Sequence, residues 1–498
     1  MAKVTHAEVR MYRMGTGDCF ALKFFAGDQT VFRLMIDGGA WYGPQARLEP
    51  YILDLKAYLE DYADVLLVTH EHQDHVLAFS ACAHLFTDGK FQVGQVWLGW
   101  TEEEHNPKVQ EWKEKYGEKK KALGLVAERL RAVTAAAGFK KQFAGSLHAR
   151  QALQARQAFA DVLNGFASQH LSLLDPLHYQ AGLAGMEVVK NKITRKDTKY
   201  FKPGDVVSDL GQAQGLKIYV LGPPELYGDL RKKAGDKEEA YDHNQLLLER
   251  DAFGAAILQL AQPEGGQGSL LPFDDQYVAP AGSALQNAYH KTDWRKIDYD
   301  WLYSAGPFAL RMNSLTNNLS LAIAIEFQDS GKVLLFPGDA EFGSWSSWHR
   351  IAWQEKRKEG TENREELEKK LLTEDLLNRT VLYKVAHHLS HNGTARQLGL
   401  EMMLHPELAA MATLDYAVIH AGWTMTMPNR DLVKELLART KGRLMVMNEE
   451  GLFLDFNKQV PLGDKIAEAR SRMSDRERQE FEAHLEQTAL YIQYRVQA

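Results

Sequence analysis

The chain opens with three short runs, residues 7–14, 20–25 and 30–36, that are apolar or alternate polar with apolar between Gly-Asp and Gly-Gly turns, a pattern that predicts strands. Apolar residues near three-to-four spacing predict a helix over 53–62. Residues 65–68 are continuously apolar, as in a short strand buried on both faces. A helix over about 76–85 then leads to another such strand at 95–98. From about 101 to 310 the texture changes. Residues 112–131 and 149–174 read as helices, the first of them charged and amphipathic, 262–269 as a Gly-rich exposed loop, and 216–221 as a brief return to strand character. Strands resume at 318–327, 332–336, 381–385 and 416–419, with a charged helical segment over 353–377. Residues 464–498 read as a highly charged amphipathic helix or helix pair.

This pattern predicts an α/β protein with mixed sheets. A domain over 1–463 has its core in 1–100 and 311–463, a large, mainly helical insertion over about 101–310, and a C-terminal helical extension at 464–498. No Gly-rich phosphate loop follows the first strand, which sets aside a dinucleotide-binding fold.

Composition narrows the class. A net charge of −7 gives no bulk basic excess, so a nucleic-acid partner would need a local basic patch. Two cysteines, Cys19 and Cys82, are too few for a disulfide framework or a thiolate zinc site, which favours a reducing, cytoplasmic setting. With neither a signal-peptide pattern nor an apolar run long enough for a bilayer, no membrane association is expected.

The candidate chemistry lies in Thr69-His70-Glu71-His72-Gln73-Asp74-His75, immediately after the buried run 65–68. Imidazole and carboxylate ligands together suit zinc, manganese or iron. His70 and His72 alternate, so an extended backbone points both rings the same way, while Asp74 and His75 begin a helix and can face a second ion.

This His-x-His-x-Asp-His pattern resembles the signature of the metallo-β-lactamase superfamily. The resemblance implies an αββα sandwich, two mixed β-sheets flanked by helices, with a dinuclear metal site at one edge between the sheets. It carries ligand roles to His70, His72, Asp74, His75 and His388, and to Asp339 as the carboxylate bridging two divalent ions, zinc or alternatively Mn2+ or Fe2+. Asp37, in Met-Ile-Asp-Gly-Gly, matches a supporting aspartate, and His387 is a candidate substrate contact. Gly15-Thr16-Gly17-Asp18, Asn317-Asn318-Leu319-Ser320, Lys384-Val385-Ala386-His387-His388 and the segment holding His420 are similar to one branch, the hydrolase domains of ComEC-type DNA-uptake proteins and the choline-phosphate esterases. That branch has Gly-Ser where this chain has Leu389-Ser390, and a small serine at the place of His420. The superfamily's third-motif histidine is not evident. Its place falls near Asn317 and Asn318, with His178, His243 or His290 as alternatives, so the ion on His70 and His72 is expected to be held less tightly than the ion on Asp74, His75 and His388.

The expectation is a dinuclear hydrolase in which a metal-bridged hydroxide attacks a phosphodiester, either nucleic acid or a small phosphorylated molecule. Asp74, His387 and His420 carry the catalytic assignments, with His387, His391 or His420 protonating the leaving group. The basic runs 119–121, 140–141, 190–199 and 231–233 are either phosphate contacts or solvated faces. The channel that accompanies the DNA-uptake version is absent, so transport is not expected. Hydrolysis of a lactone, thioester or amide, and a non-catalytic metal-binding module, remain alternatives. A protein partner or a second copy would dock through the insertion or the C-terminal helix.

Overall fold

The structure, a computed structural model, describes residues 2–41, 43–110, 184–230, 282–291, 316–354, 356–359, 367–370, 372–419, 427–455 and 460–498. The chain divides into two compact units, one of Met1–Val109, Ala181–Gln245 and Ser314–Ala498, the other of Gln110–Gln180 and Leu246–Asn313. Most of the second unit, including the expected helices at 112–131 and 149–174 and the loop at 262–269, lies outside the described residues.

The first unit is mixed α/β, with two large mixed sheets and helices. In chain order the strands of these sheets are β1 (His6–Tyr12), β2 (Phe20–Ala26), β3 (Gln29–Ile36), β4 (Tyr62–Leu67), β5 (Gln92–Gly99), β6 (Arg195–Phe201), β7 (Val206–Val207), β8 (Leu216–Val220), β9 (Ile323–Phe327), β10 (Val333–Phe336), β11 (Thr380–Lys384), β12 (Ala409–Asp415), β13 (Leu444–Asn448), β14 (Leu485–Gln487) and β15 (Tyr491–Gln497). One sheet runs β14-β15-β1-β2-β3-β4-β5-β6 and the other β13-β12-β11-β10-β9-β8-β7. Within the first, β3 to β6 are parallel. Within the second, β10 to β13 are parallel.

Alternation along the strands sends Val9, Leu22, Phe24, Leu34 and Val65 of one sheet and Ile218, Ile323, Leu334 and Met411 of the other into a shared core. Phe20 meets Phe336 edge-on across it, with ring centroids 5.6 Å apart. The outer face of the β1–β6 sheet buries Met35, Leu66 and Val96 against Leu48, Ile52 and Leu55 of the helix Gln45–Leu59 and Val76 and Phe79 of the helix Gln73–Ala81.

Four expectations are corrected. The strand expected at 416–419 lies earlier in the chain, as β12 (Ala409–Asp415), and residues 416–419 form a turn. Residues 464–498 are not a helical extension: the helices Leu462–Arg470 and Asp475–His484 lead into β14 and β15, and β15 pairs antiparallel with the whole length of β1. Ile492, Tyr494 and Val496 alternate with exposed partners, the period of a strand, and fill the inter-sheet core. The insertion does not run unbroken over 101–310, because residues 195–220 return four strands, three of them completing the two sheets. The segment 353–377 is not one helix. Lys356–Glu359 pairs antiparallel with Leu367–Lys370, setting Lys358 opposite Glu368, before a short helix Thr373–Asn378.

Candidate metal centre

The site gathers where parallel strands of both sheets end, the position at which open α/β sheets leave room for a ligand. Asp37 follows β3, His70 to His75 follow β4, Asp339 follows β10, and His387 and His388 follow β11. The loops of the first sheet are stitched through their backbones. Asp18 N donates to Asp74 O (2.8 Å), Gly39 N to Asp18 O (2.8 Å), and Gly38 N to His75 O (2.8 Å). A Cβ on Gly39 would lie 2.0 Å from the carbonyl of Asp74, so glycine is required for this approach. The Gly-x-Gly-Asp and Asp-Gly-Gly turns therefore set the start of the Gln73–Ala81 helix.

Asp37 is fully buried and accepts three hydrogen bonds, from Thr69 N (2.7 Å), Thr69 Oγ1 (2.7 Å) and His75 Nδ1 (2.8 Å). Because a carboxylate only accepts, His75 carries its hydrogen on Nδ1 and turns the Nε2 lone pair towards the cluster. His388 is held the same way. Thr413 Oγ1 donates its one hydrogen to Asp18 Oδ1 (2.7 Å), so His388 Nδ1, 2.7 Å from that hydroxyl, is the donor and Nε2 is left free. Thr69 likewise spends its hydrogen on Asp37 and accepts from His70 Nδ1 (3.0 Å), which turns His70 Nε2 towards His72 Nδ1 at 2.9 Å.

Asp339 Oδ2 lies 3.2 Å from His75 Nε2 and 3.1 Å from His388 Nε2, and Asp74 Oδ2 lies 3.2 Å from His388 Nε2. Both Nε2 atoms are buried, yet neither has a partner in hydrogen-bond geometry. Nitrogens and oxygens that converge at this spacing without bonding one another suit a cation between them. Among the described residues, Asp18, His75, Asp339 and His388 form a buried group whose ligand atoms all lie within 4.8 Å of one another and which can hold a metal ion. His70 and His72 face each other beside this group but are not members of it.

The electrostatics agree. Burial alone would strip the proton from His388, but Asp339, Asp74 and Asp18 outweigh it and raise its pKa to about 9. His75 is pushed the same way, against burial, by Asp339, Asp37 and Asp18. Burial opposes ionisation of Asp339 as well, yet His388, His75 and Lys384 hold it well below the usual carboxylate range. Carboxylates that draw protons onto two imidazoles create a field that a metal ion can satisfy instead.

His387 stands apart from the group. Asn317 Nδ2 donates to Glu341 Oε1 (2.7 Å) and faces His387 Nε2 at 3.3 Å. Burial lowers the pKa of His387 to about 4, so the ring is neutral. The turn is strained: His387, His388 and Leu389 have φ of 48°, 49° and 67°, a left-handed run without glycine. Asn318 accepts through Oδ1 from the backbone of Glu341 and Ser344 and anchors that loop. His391 is half-buried beside Ser390.

His178, His243 and His420 lie outside the described residues, as do the side chain of His290 and the basic runs at 119–121, 140–141 and 231–233. In the run 190–199, Lys190 is paired with Glu102 at 2.7 Å, and residues 195–199 belong to β6. Sequence reasoning placed Lys384 in a motif without giving it a role, and missed Thr413 and Glu341. Lys384 carried a signal, as the charged residue of an otherwise apolar stretch from Val381 to Ala386; Thr413, inside the fully buried β12, carried none.

The chain matches no protein-family model, no curated protein and no solved structure. Among the described residues no helix is long and apolar enough to cross a membrane.

Proposed function

We propose that this chain is a metal-dependent hydrolase of the metallo-β-lactamase fold that cleaves phosphodiesters with two divalent ions, zinc being the first candidate. The observation that carries the metal reading is the convergence of His75 Nε2, His388 Nε2 and Asp339 Oδ2 within 3.1–3.2 Å contacts at the sheet ends. In this reading Asp74, His75, Asp339 and His388 hold one ion, and His70 and His72 share Asp339 to hold the other. Buried charge supports more than one ion: Asp18, Asp37, Asp74 and Asp339 are all buried, and Lys384 offers them one ammonium. When bound, such ions make water a far stronger acid and withdraw charge from a phosphoryl oxygen.

The chain's own residues do the positioning. Asp37 and Thr413 fix the tautomers of His75 and His388. With Asn317 donating to Nε2, His387 carries its hydrogen on the buried Nδ1, 3.6 Å from Glu341 Oε1, so Asn317 and Glu341 together orient the ring beside the centre. The phosphodiester assignment follows the sequence resemblance to the ComEC-type and choline-phosphate esterase branch.

The test is metal analysis of the purified protein, followed by hydrolysis of DNA, RNA, cyclic nucleotides and bis-p-nitrophenyl phosphate after metal loading. His72→Ala and His75→Ala proteins serve as controls against contaminating nuclease. Turnover that is lost on chelation, restored by metal and absent from both variants is expected. A protein that binds no divalent metal overturns the reading; a metal-loaded protein inert on all phosphodiesters but active on esters or lactones changes the bond cleaved.

A further inference from the structure

Lys384 ends a strand whose residues are all buried, and its own side chain is 1% exposed. Its ammonium is held by three oxygens: Asp18 Oδ2 at 2.5 Å, Gly338 O at 2.8 Å and Asp339 Oδ1 at 3.2 Å. An ammonium has three hydrogens to donate, so this set uses all of them. Asp339 is left with one oxygen, Oδ2, facing His75 and His388. Asp18 is committed on both sides, since Oδ1 accepts from Thr413 while Oδ2 takes the ammonium.

We propose that Lys384 is a positioning residue that confines Asp339 to single-oxygen ligation, and that Asp18 anchors the lysine and the Thr413–His388 pair without ligating metal. The inference rests on the metal-centre reading above. It reassigns Asp18, whose carboxylate falls within the close-packed ligand group, because Oδ1 lies 3.6 Å from His388 Nδ1 and Oδ2 3.8 Å from His75 Nδ1, on the sides of the two rings turned away from their free Nε2 atoms. It also explains why a lysine occupies a buried strand end. A compact point charge with three divergent donors can clamp two carboxylates and a carbonyl at once, and an uncharged side chain of similar length cannot.

The consequence concerns coordination number. With Oδ1 clamped, Asp339 would offer an ion held by Asp74, His75 and His388 a single oxygen, which would favour four or five ligands over six. With the clamp removed, Asp339 can turn both oxygens to the ion, and water can enter the vacated space. Cobalt reports this directly, because four- and five-coordinate Co2+ lacks a centre of symmetry and absorbs visible light strongly, while six-coordinate Co2+ absorbs weakly.

The experiment loads the full chain with Co2+ and compares the visible spectrum of the unmodified protein with that of Lys384→Met. A strong band in the unmodified protein and a several-fold loss of molar absorption in the variant, at equal cobalt content, are expected. Because Lys384→Met leaves Asp18 buried without its cation, Asp18→Asn/Lys384→Met removes both charges and should give the same loss. Equal spectra in any folded variant overturn the proposal, as does a weak six-coordinate spectrum in the unmodified protein. Failure of the unmodified protein to take up cobalt overturns the metal reading itself, and so separates the two failures.

Discussion

Asp37→Asn isolates the support of His75, a proposed metal ligand, with little change in shape. Asp37 adopts φ of 56°, in the left-handed region where asparagine is among the best tolerated residues, so the backbone need not move. Of its three accepted bonds, that from Thr69 N falls on Oδ1, which an amide oxygen can keep. The other two, from Thr69 Oγ1 and His75 Nδ1, converge on Oδ2, where the variant places an NH2 group against two donors. The Thr69 hydroxyl can rotate and accept, but an imidazole N–H cannot. His75 must then lose that bond or move its hydrogen to Nε2, the atom aimed at the candidate centre. One lost hydrogen bond to a charged acceptor costs about 1.5–3 kcal/mol, and loss of the partner that orients a metal-bound histidine weakens metal binding about 10–100-fold. The assay is competition with a chromophoric chelator, alongside thermal unfolding of the metal-free protein to confirm folding. A folded Asp37→Asn protein whose affinity stays within about twofold of the original would refute the assignment of Asp37 as the partner of a metal-ligating His75.

Gly39→Ala drives a methyl group into the Asp74–His75 backbone, at 2.0–2.1 Å, and should cost about 3 kcal/mol or more, read as a lower urea midpoint; an unchanged midpoint would show that the loops are not stitched as described. In metal-free protein, a His388 pKa raised from 6.5 to about 9 contributes stability that is full below pH 6.5 and lost as pH rises through about 9. The apo melting temperature should therefore fall across that window and metal should flatten the slope; a rise in the apo protein would contradict the sign. Ile492→Ala should cost about 2–5 kcal/mol, as for a core isoleucine, measured by chemical unfolding, and a loss of only a few tenths would mean that β15 is not part of the core.

Most of the candidate centre was legible because its residues sit in short local patterns. Asp37, His70 to His75, Asp339 and His387-His388 each follow an apolar run, and a strand's end can be read from where that run stops. Within the paired histidines the geometry brings His388 to His75 and Asp339 while turning His387 towards Asn317. What sequence could not supply is long-range pairing. Asp18 meets Thr413 across 395 residues, a contact that no local periodicity encodes. The C-terminal strand was hidden for another reason. The charged helices before it dominate the composition of residues 464–498, and the alternation of Ile492, Tyr494 and Val496 is short beside them.

The departures from local rules are concentrated, and this bears on whether the cluster is structural or functional. Among the described residues, non-glycine residues with positive φ are Asp37, Glu60, Asp61, His387, His388, Leu389 and Lys441. Glu60, Asp61 and Lys441 sit just beyond helix C-termini, where a left-handed residue commonly closes the helix. The other four surround the candidate centre. Each left-handed residue costs about 1–2 kcal/mol, so these four together forgo several kcal/mol, a large part of a domain's net stability. The same place holds four buried aspartates, whose replacement by neutral groups would relieve repulsion and desolvation. A cluster that only held the sheets together could be built from apolar side chains at less cost, as the inter-sheet core beside it is. Strain and concentrated buried charge kept together at the ends of two sets of parallel strands fit a site whose stabilising partner is a bound cation.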